Sequence, residues 1–177
     1  AKTAAYAYDW TDGASHLGTQ QDLDCRLVTN PVPSTTRQLH GGWFDAGDYN
    51  KYVNFAYEPI HDLCLAYIER PEIWTDDYNI PESGNGIPDL LDEVKREMDW
   101  LLRMQEANGS VLMKVSVTDF SAASPPSADT GFRRYGPAQA SATRTAASMY
   151  AVGALAYNLT GNPAMQLYAD TLEQAAV

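Results

Sequence analysis

The sequence predicts a mostly α protein with long loops between its helices. Three observations point there. Residues 88 to 106 place Leu90, Leu91, Val94, Met98, Leu101 and Leu102 at helical spacing. Residues 138 to 159 are rich in alanine, the strongest helix former, whose small side chain lets neighbouring helices approach closely. Clusters of glycine, proline and asparagine punctuate the chain between these segments.

Taken in order, residues 1 to 44 carry turn formers (Asp12-Gly13, Asn30-Pro31, Gly41-Gly42) and read as mainly irregular. Residues 49 to 70 read as one or two helices, with Pro59 expected to kink or split them by removing a backbone donor. Residues 75 to 87 form a polar loop. The helix over 88 to 106 follows, with Pro88 in its first turn, Asp89, Asp92 and Glu93 near its positive end, and Asn108-Gly109 as its stop. Residues 111 to 118 read as a short strand, the seed of one small β-hairpin. A loop over 119 to 137 leads into the alanine-rich helix. Gly161-Asn162-Pro163 breaks the chain before a last helix from 164 onward.

The chain has 177 residues, 12 of them Lys or Arg and 23 Asp or Glu, a formal charge of -11. That balance argues against nucleic acid and anionic membranes as partners, since both select basic residues, and favours a neutral substrate. No apolar run reaches the length of a membrane span. The chain begins Ala1-Lys2 rather than with Met, which reads as a processed or excised start. Two cysteines, Cys25 and Cys64, are too few for a disulfide scaffold, and Cys64 reads as a small buried hydrophobe.

The stretch richest in chemistry runs from His40 to Tyr52. Asp45 and Asp48 stand at i and i+3 in a glycine-rich loop ahead of a predicted helix. Like charges that close resist joint ionisation, so such a pair can hold a proton, a water or a cation. Trp43, Tyr49 and Tyr52 offer flat faces for a sugar or for the core. Pattern alone leaves two readings open, helix capping with loop solvation or a functional site. A second cluster, Glu82, Asn85, Asp89 and Asp92, presents hard oxygen ligands around a glycine turn. Two readings stand here as well, complementing the helix N-terminus or holding calcium.

Gly41-Gly42-Trp43-Phe44-Asp45-Ala46-Gly47-Asp48-Tyr49-Asn50-Lys51-Tyr52-Val53 closely resembles the catalytic-base motif of glycoside hydrolase family 9. The block Ile80 to Val94, continued by Asp99 to Gln105, agrees, and a weaker block runs from Arg134-Tyr135-Gly136-Pro137 into Ser141-Ala142-Thr143. The three blocks come in the family's order. They look most like bacterial members in which an immunoglobulin-like module precedes the catalytic domain. The resemblance implies an (α/α)6 toroid of which residues 1–177 form the N-terminal part of the catalytic domain. It implies inverting hydrolysis of internal β-1,4-glucosidic bonds in cellulose or related glucans, and a secreted bacterial enzyme. By position, Asp48 matches the general base and Asp45 its partner in holding the water. Phe120, Arg134 and Tyr135 fall where the family has cleft-edge residues that contact sugar, with surface packing as the other reading of them.

An inverting pair of carboxyl groups stands about 6.5–9.5 Å apart on opposite sides of the bond. Asp45 and Asp48 suit one side and not both. The glutamates of this chain, Glu93 and Glu97 among them, sit on predicted helices or in the second block, and none matches the family's acid motif. The general acid is therefore expected outside these residues, and the segment is expected to be inactive by itself. No catalytic cofactor is implied. Some members hold a structural calcium near the second block. Zinc is not expected, because Ser15 stands before His16 where relatives carry a thiolate ligand. Two other functions compete, an exo-acting glucosaminidase of the same family and a non-catalytic glycan-binding helical module.

Overall fold

The computed structural model describes residues 3–177; Ala1 and Lys2 lie outside the described residues. Among the described residues five α-helices and four short strands follow one another as α1 (Ala4–Ala7), β1 (Arg26–Leu27), β2 (Lys51–Tyr52), α2 (Tyr57–Glu69), α3 (Asp89–Met104), β3 (Lys114–Val117), β4 (Arg133–Tyr135), α4 (Ala140–Leu159) and α5 (Pro163–Ala175). Single 3-10 turns link them at Asp22–Asp24, Pro33–Thr35, Val53–Ala56, Pro71–Ile73 and Pro126–Ala128.

The helical frame follows the sequence pattern. α3 starts behind Pro88, with Asp89 and Asp92 in its first turn and Arg103 in its last, as the helix dipole favours. Its Leu91, Val94, Met98 and Leu101 are fully buried. α4 packs against α2 and α5 and touches α3. Gly153 is where α4 meets α3: a Cβ there would lie 2.6 Å from Met98 Cε. The Tyr157 hydroxyl donates to the Leu91 carbonyl at 2.9 Å and ties the same two helices. Asn162 caps α5 by accepting from the Ala164 N–H at 2.9 Å, with Pro163 at the first position.

Three expectations change. Pro59 neither kinks nor splits a helix. It is the third residue of α2, in a first turn whose N–H groups have no intrahelical partner to lose, and α2 runs on unbroken to Glu69. The chain ahead of it is a strand and a 3-10 turn rather than helix. α3 stops at Met104, where Gln105 turns extended and pairs with Val111; Asn108-Gly109 instead forms the reversal that follows, closed by Glu106 N–H to Ser110 carbonyl at 2.7 Å. Finally, the single hairpin is a four-stranded sheet of order β1-β4-β3-β2, with β1 parallel to β4 and the other pairs antiparallel.

Charged groups tie sheet to loops. Asp22 accepts from Lys51 Nζ at 2.7 Å and from Arg133 Nε at 2.9 Å, and all three are buried. Lys51 Nζ also donates to the carbonyls of Leu39 and Gly41, at 2.9 and 2.8 Å. The ammonium is thus fully used, which is what its burial requires. Among the described residues no helix is long and apolar enough to cross a membrane.

Candidate active site

The segment between Gly41 and Lys51 lies across α3 and ends in β2. Gly41 and Gly42 both take positive φ, +91° and +75°. At Gly42 a side chain is also excluded by contact, because a Cβ would lie 2.7 Å from Trp100 Cγ and 3.0 Å from Glu97 Oε2. The next peptide is held directly: Trp43 N–H donates to Glu97 Oε2 at 2.5 Å, and the Trp43 indole N–H donates to Glu93 Oε1 at 2.6 Å.

Beyond Trp43 the chain makes a closed loop. Asp45 N–H donates to the Asn50 carbonyl at 2.8 Å, and Tyr49 N–H to the Ala46 carbonyl at 3.0 Å. Asp48 is oriented by one neighbour. Its carboxylate accepts from Asn50 Nδ2 at 2.8 Å and from Asn50 N–H at 3.2 Å. Asn50 is itself fully buried, and its Oδ1 accepts from Val117 N–H in β3 at 2.9 Å. The sheet therefore sets Asp48 through a single amide. Neither Asp45 nor Asp48 caps a helix, since β2 and a 3-10 turn without a side-chain cap separate them from α2.

Asp45 is exposed at the rim of a cleft of about 150 Å³ that Trp43, Phe44, Tyr52, Phe55 and Glu97 also line. Burial raises the Tyr52 hydroxyl above its ordinary range, and the charges of Asp48 and Asp45 add to it. Both carboxylates thus bear on one phenol at this edge. Tyr49, by contrast, belongs to the core. Its ring packs on His16 and Phe44, with centroids 5.2 Å away in each case, and its hydroxyl donates to the Ala123 carbonyl at 2.9 Å. Glu97, on α3, is a further acidic group of the cleft. It is 1% exposed, and burial pushes its carboxyl up to about 7, against the pull of the Trp43 N–H, Lys51 and Arg96.

The three sugar-contact candidates are not brought together as one surface. Arg134 and Tyr135 are buried in β4 with their polar groups committed to the protein, Arg134 to the Arg133 carbonyl and Gln20 Oε1, Tyr135 to the Thr35 carbonyl. Phe120 is exposed in the loop between β3 and β4.

The second cluster forms with one substitution of membership. Carboxylate oxygens of Asp76, Asp89 and Asp92 lie within 4.8 Å of one another. Asp76 takes the place expected for Glu82, whose charge nevertheless reaches Asp92. Asn85 points its amide nitrogen, not its oxygen, at Asp92, 3.0 and 3.1 Å from the two oxygens, and its Oδ1 accepts from Ile87 N–H. Asp89 Oδ2 accepts from Tyr78 N–H and Ser83 Oγ, while its Oδ1 is buried with no hydrogen-bond partner. Among the described residues no other group of three or more such ligands assembles. In particular His16 Nε2 lies 3.0 Å from Asp129 Oδ2, and Cys25 is a buried thiol raised to about 12 by burial.

Residues 1–177 match the sequence profile described as Glycosyl hydrolase family 9. A xyloglucan-specific endo-beta-1,4-glucanase of Bacteroides ovatus is 44% identical over 123 residues, covering 65% of this chain and 20% of the relative. Endoglucanase D of Acetivibrio thermocellus is 40% identical over 123 residues, covering 68% and 20%. A solved structure described as Bacteroides ovatus GH9 superposes with a TM-score of 0.83 at 27% identity, over 98% of this chain and 33% of that one. The chain spans about a fifth of the length of these curated relatives. Its fold is one part of their (α/α)6 barrel.

Proposed function

The chain belongs to glycosyl hydrolase family 9, and from that membership we propose that the full-length protein is a secreted inverting β-1,4-glucanase in which Asp48 is the general base. The observation that carries this reading is the seating of Asp48: a carboxylate fixed by Asn50 to the sheet, whose charge bears on Tyr52 together with that of Asp45, and both Tyr52 and Asp45 line an aromatic cleft. Asp48 takes a proton from the attacking water while Asp45 helps to hold that water. A glutamic acid beyond these residues protonates the leaving oxygen from the far side of the bond, at the separation inversion needs. The neutral glucan fits the net negative charge, and the exposed rings of Phe44, Phe55 and Phe120 are the apolar faces available to it. The burial of Arg134 and Tyr135 favours a role for them in shaping the sheet behind the loop.

The acidic cluster fits a structural calcium ion. Its donors are hard carboxylate oxygens of Asp76, Asp89 and Asp92, and the buried, unpartnered Asp89 Oδ1 is a ligand atom in need of a partner. Such an ion would pin the loop over 76 to 87 to the start of α3 and supply no step of the reaction.

The test of the base is Asp48→Ala in the full-length protein, assayed on cellulose, xyloglucan and chitosan oligomers. Hydrolysis is expected to vanish while oligosaccharide binding persists. Near-normal turnover would remove Asp48 from the role.

A further inference from the structure

Glu97 is a buried acidic residue of the cleft that the mechanism above leaves unused. Its carboxyl lies under the Gly41–Trp43 turn, which is gripped from two directions. Lys51 Nζ, reaching back from β2, holds the Gly41 carbonyl at 2.8 Å, and Glu97 Oε2, from α3, holds the Trp43 N–H at 2.5 Å. Two residues later comes Asp45. The turn cannot settle deeper onto α3, because Gly42 already lies against Trp100 and Glu97 at contact distance. It cannot lift away without breaking a charge-assisted bond at each end. We infer that Glu97 is a positioning residue for the reaction: its carboxylate holds the Trp43 peptide and thereby fixes where the loop presents Asp45 and Asp48. The inference rests on the reading of Asp48 as the base.

A buried carboxyl beside a cleft also suggests the general acid itself. The geometry opposes that. Glu97 is 1% exposed and one of its oxygens is occupied by a backbone donor, so it does not reach a glycosidic oxygen. The charged groups that face it are Lys51 from β2 and, on its own helix, Glu93 and Arg96; Asp45 lines the same cleft. Burial is the largest influence, so its proton is held up to about 7. Between its ordinary range and that value the folded chain keeps a proton that the unfolded chain has released, and stability falls as pH rises through the window. Above it the ionised carboxylate grips Trp43 most strongly. The same group thus lowers stability where it raises activity.

The experiment is Glu97→Gln in the full-length protein, which keeps the shape and an acceptor oxygen but removes the charge. At pH 8 we expect kcat to fall roughly tenfold to a hundredfold with KM little changed, as for loss of a charge-assisted bond felt at the transition state. Any limb of the pH–rate profile near 7 that belongs to Glu97 disappears, and the thermal midpoint at pH 8 rises. A variant both slower and less stable would mark a merely structural residue and overturn the inference. So would unchanged turnover alongside an inactive Asp48→Ala, which would leave the base standing. Loss of a thousandfold or more, recovered on substrates with a good leaving group, would make Glu97 an acid catalyst instead. Normal turnover in Asp48→Ala would overturn the base reading, whatever Glu97→Gln does. A measurement on the unmutated protein needs no variant to fold: with nitrogen-15-labelled tryptophan, the Trp43 amide should move downfield with a midpoint near 7. A Trp43 signal indifferent to pH from 5 to 9 would overturn the clamp.

Discussion

Replacing Asn50 with aspartate changes one atom's chemistry at the point where Asp48 is held. The substitution preserves shape and keeps an acceptor for Val117 N–H, so the sheet contact survives. What changes is the group 2.8 Å from Asp48 Oδ2, from an amide donor to a carboxylate oxygen. Two unit charges at that separation repel by about 6 kcal/mol at an effective dielectric of 20. That energy corresponds to more than four pKa units, so the pair retains one proton across the neutral range rather than ionising twice. On the proposed reading of Asp48 as the base, a carboxylate that shares a proton is not available to take another. In the full-length protein, with the hydrolysis proposed for it, Asn50→Asp should therefore reduce kcat at pH 7 by at least a hundredfold. The surviving activity should climb with pH, as the second proton leaves. The assay is kcat against pH on a soluble glucan, with circular dichroism to show the fold intact. Turnover equal to the unmutated enzyme with an unshifted profile would refute the reasoning, because it would mean that Asp48 is not oriented through Asn50.

Two further outcomes are expected. Lys51→Met removes the ammonium shared by Asp22, Leu39 and Gly41, leaving two buried carbonyls without a donor, and should lower stability by about 3–5 kcal/mol in urea unfolding; a loss below about 1 kcal/mol would show that Arg133 alone suffices for Asp22. Millimolar calcium should raise the thermal midpoint of the full-length protein, by about 3 kcal/mol of stabilisation at a hundredfold excess over Kd, and Asp89→Asn should abolish the response; a midpoint equal in calcium and in chelator would remove the ion from the account.

The longer helices, α2 to α5, were readable because each carries enough residues for a period to emerge, whereas the four-residue α1 falls in the stretch read as mainly irregular. α3 announces itself through Leu91, Val94, Met98 and Leu101, and α4 through its alanines. Of the strands, β3 falls within the segment 111 to 118 that reads as one, whereas β1, β2 and β4 were not legible, being two or three residues long and, as β1 is with β4, paired with chain that lies far away. Nothing in the sequence marks Lys51 and Arg133 as buried. Their burial depends on Asp22, which no local pattern links to them. The pair Asp45 and Asp48 was visible through glycines and resemblance, while Asn50, which orients Asp48, stood in the same motif with no role assigned to it. Asp76 was missed because its loop closes back on α3 only in three dimensions. Glu97 had a signal that could have found it: it stands at the spacing of Leu90, Val94, Leu101 and Met104, on the buried stripe of α3, where an acid is out of place unless something needs it.

The pairing of Asp22 with Arg133 joins positions 111 apart, and Asp48 depends on Val117 through Asn50. On the ribosome this order matters. α2 and α3 have all their residues early and can begin to pack, whereas the loop with the two aspartates emerges long before the strands that shape it. A nascent chain ending before β3 carries the motif letter for letter and lacks the strand that holds Asn50. Closing so long a loop is slow relative to local helix formation. The final shape of the loop that carries the two aspartates is therefore acquired only once β3 and β4 have been made, when the sheet closes over it from behind.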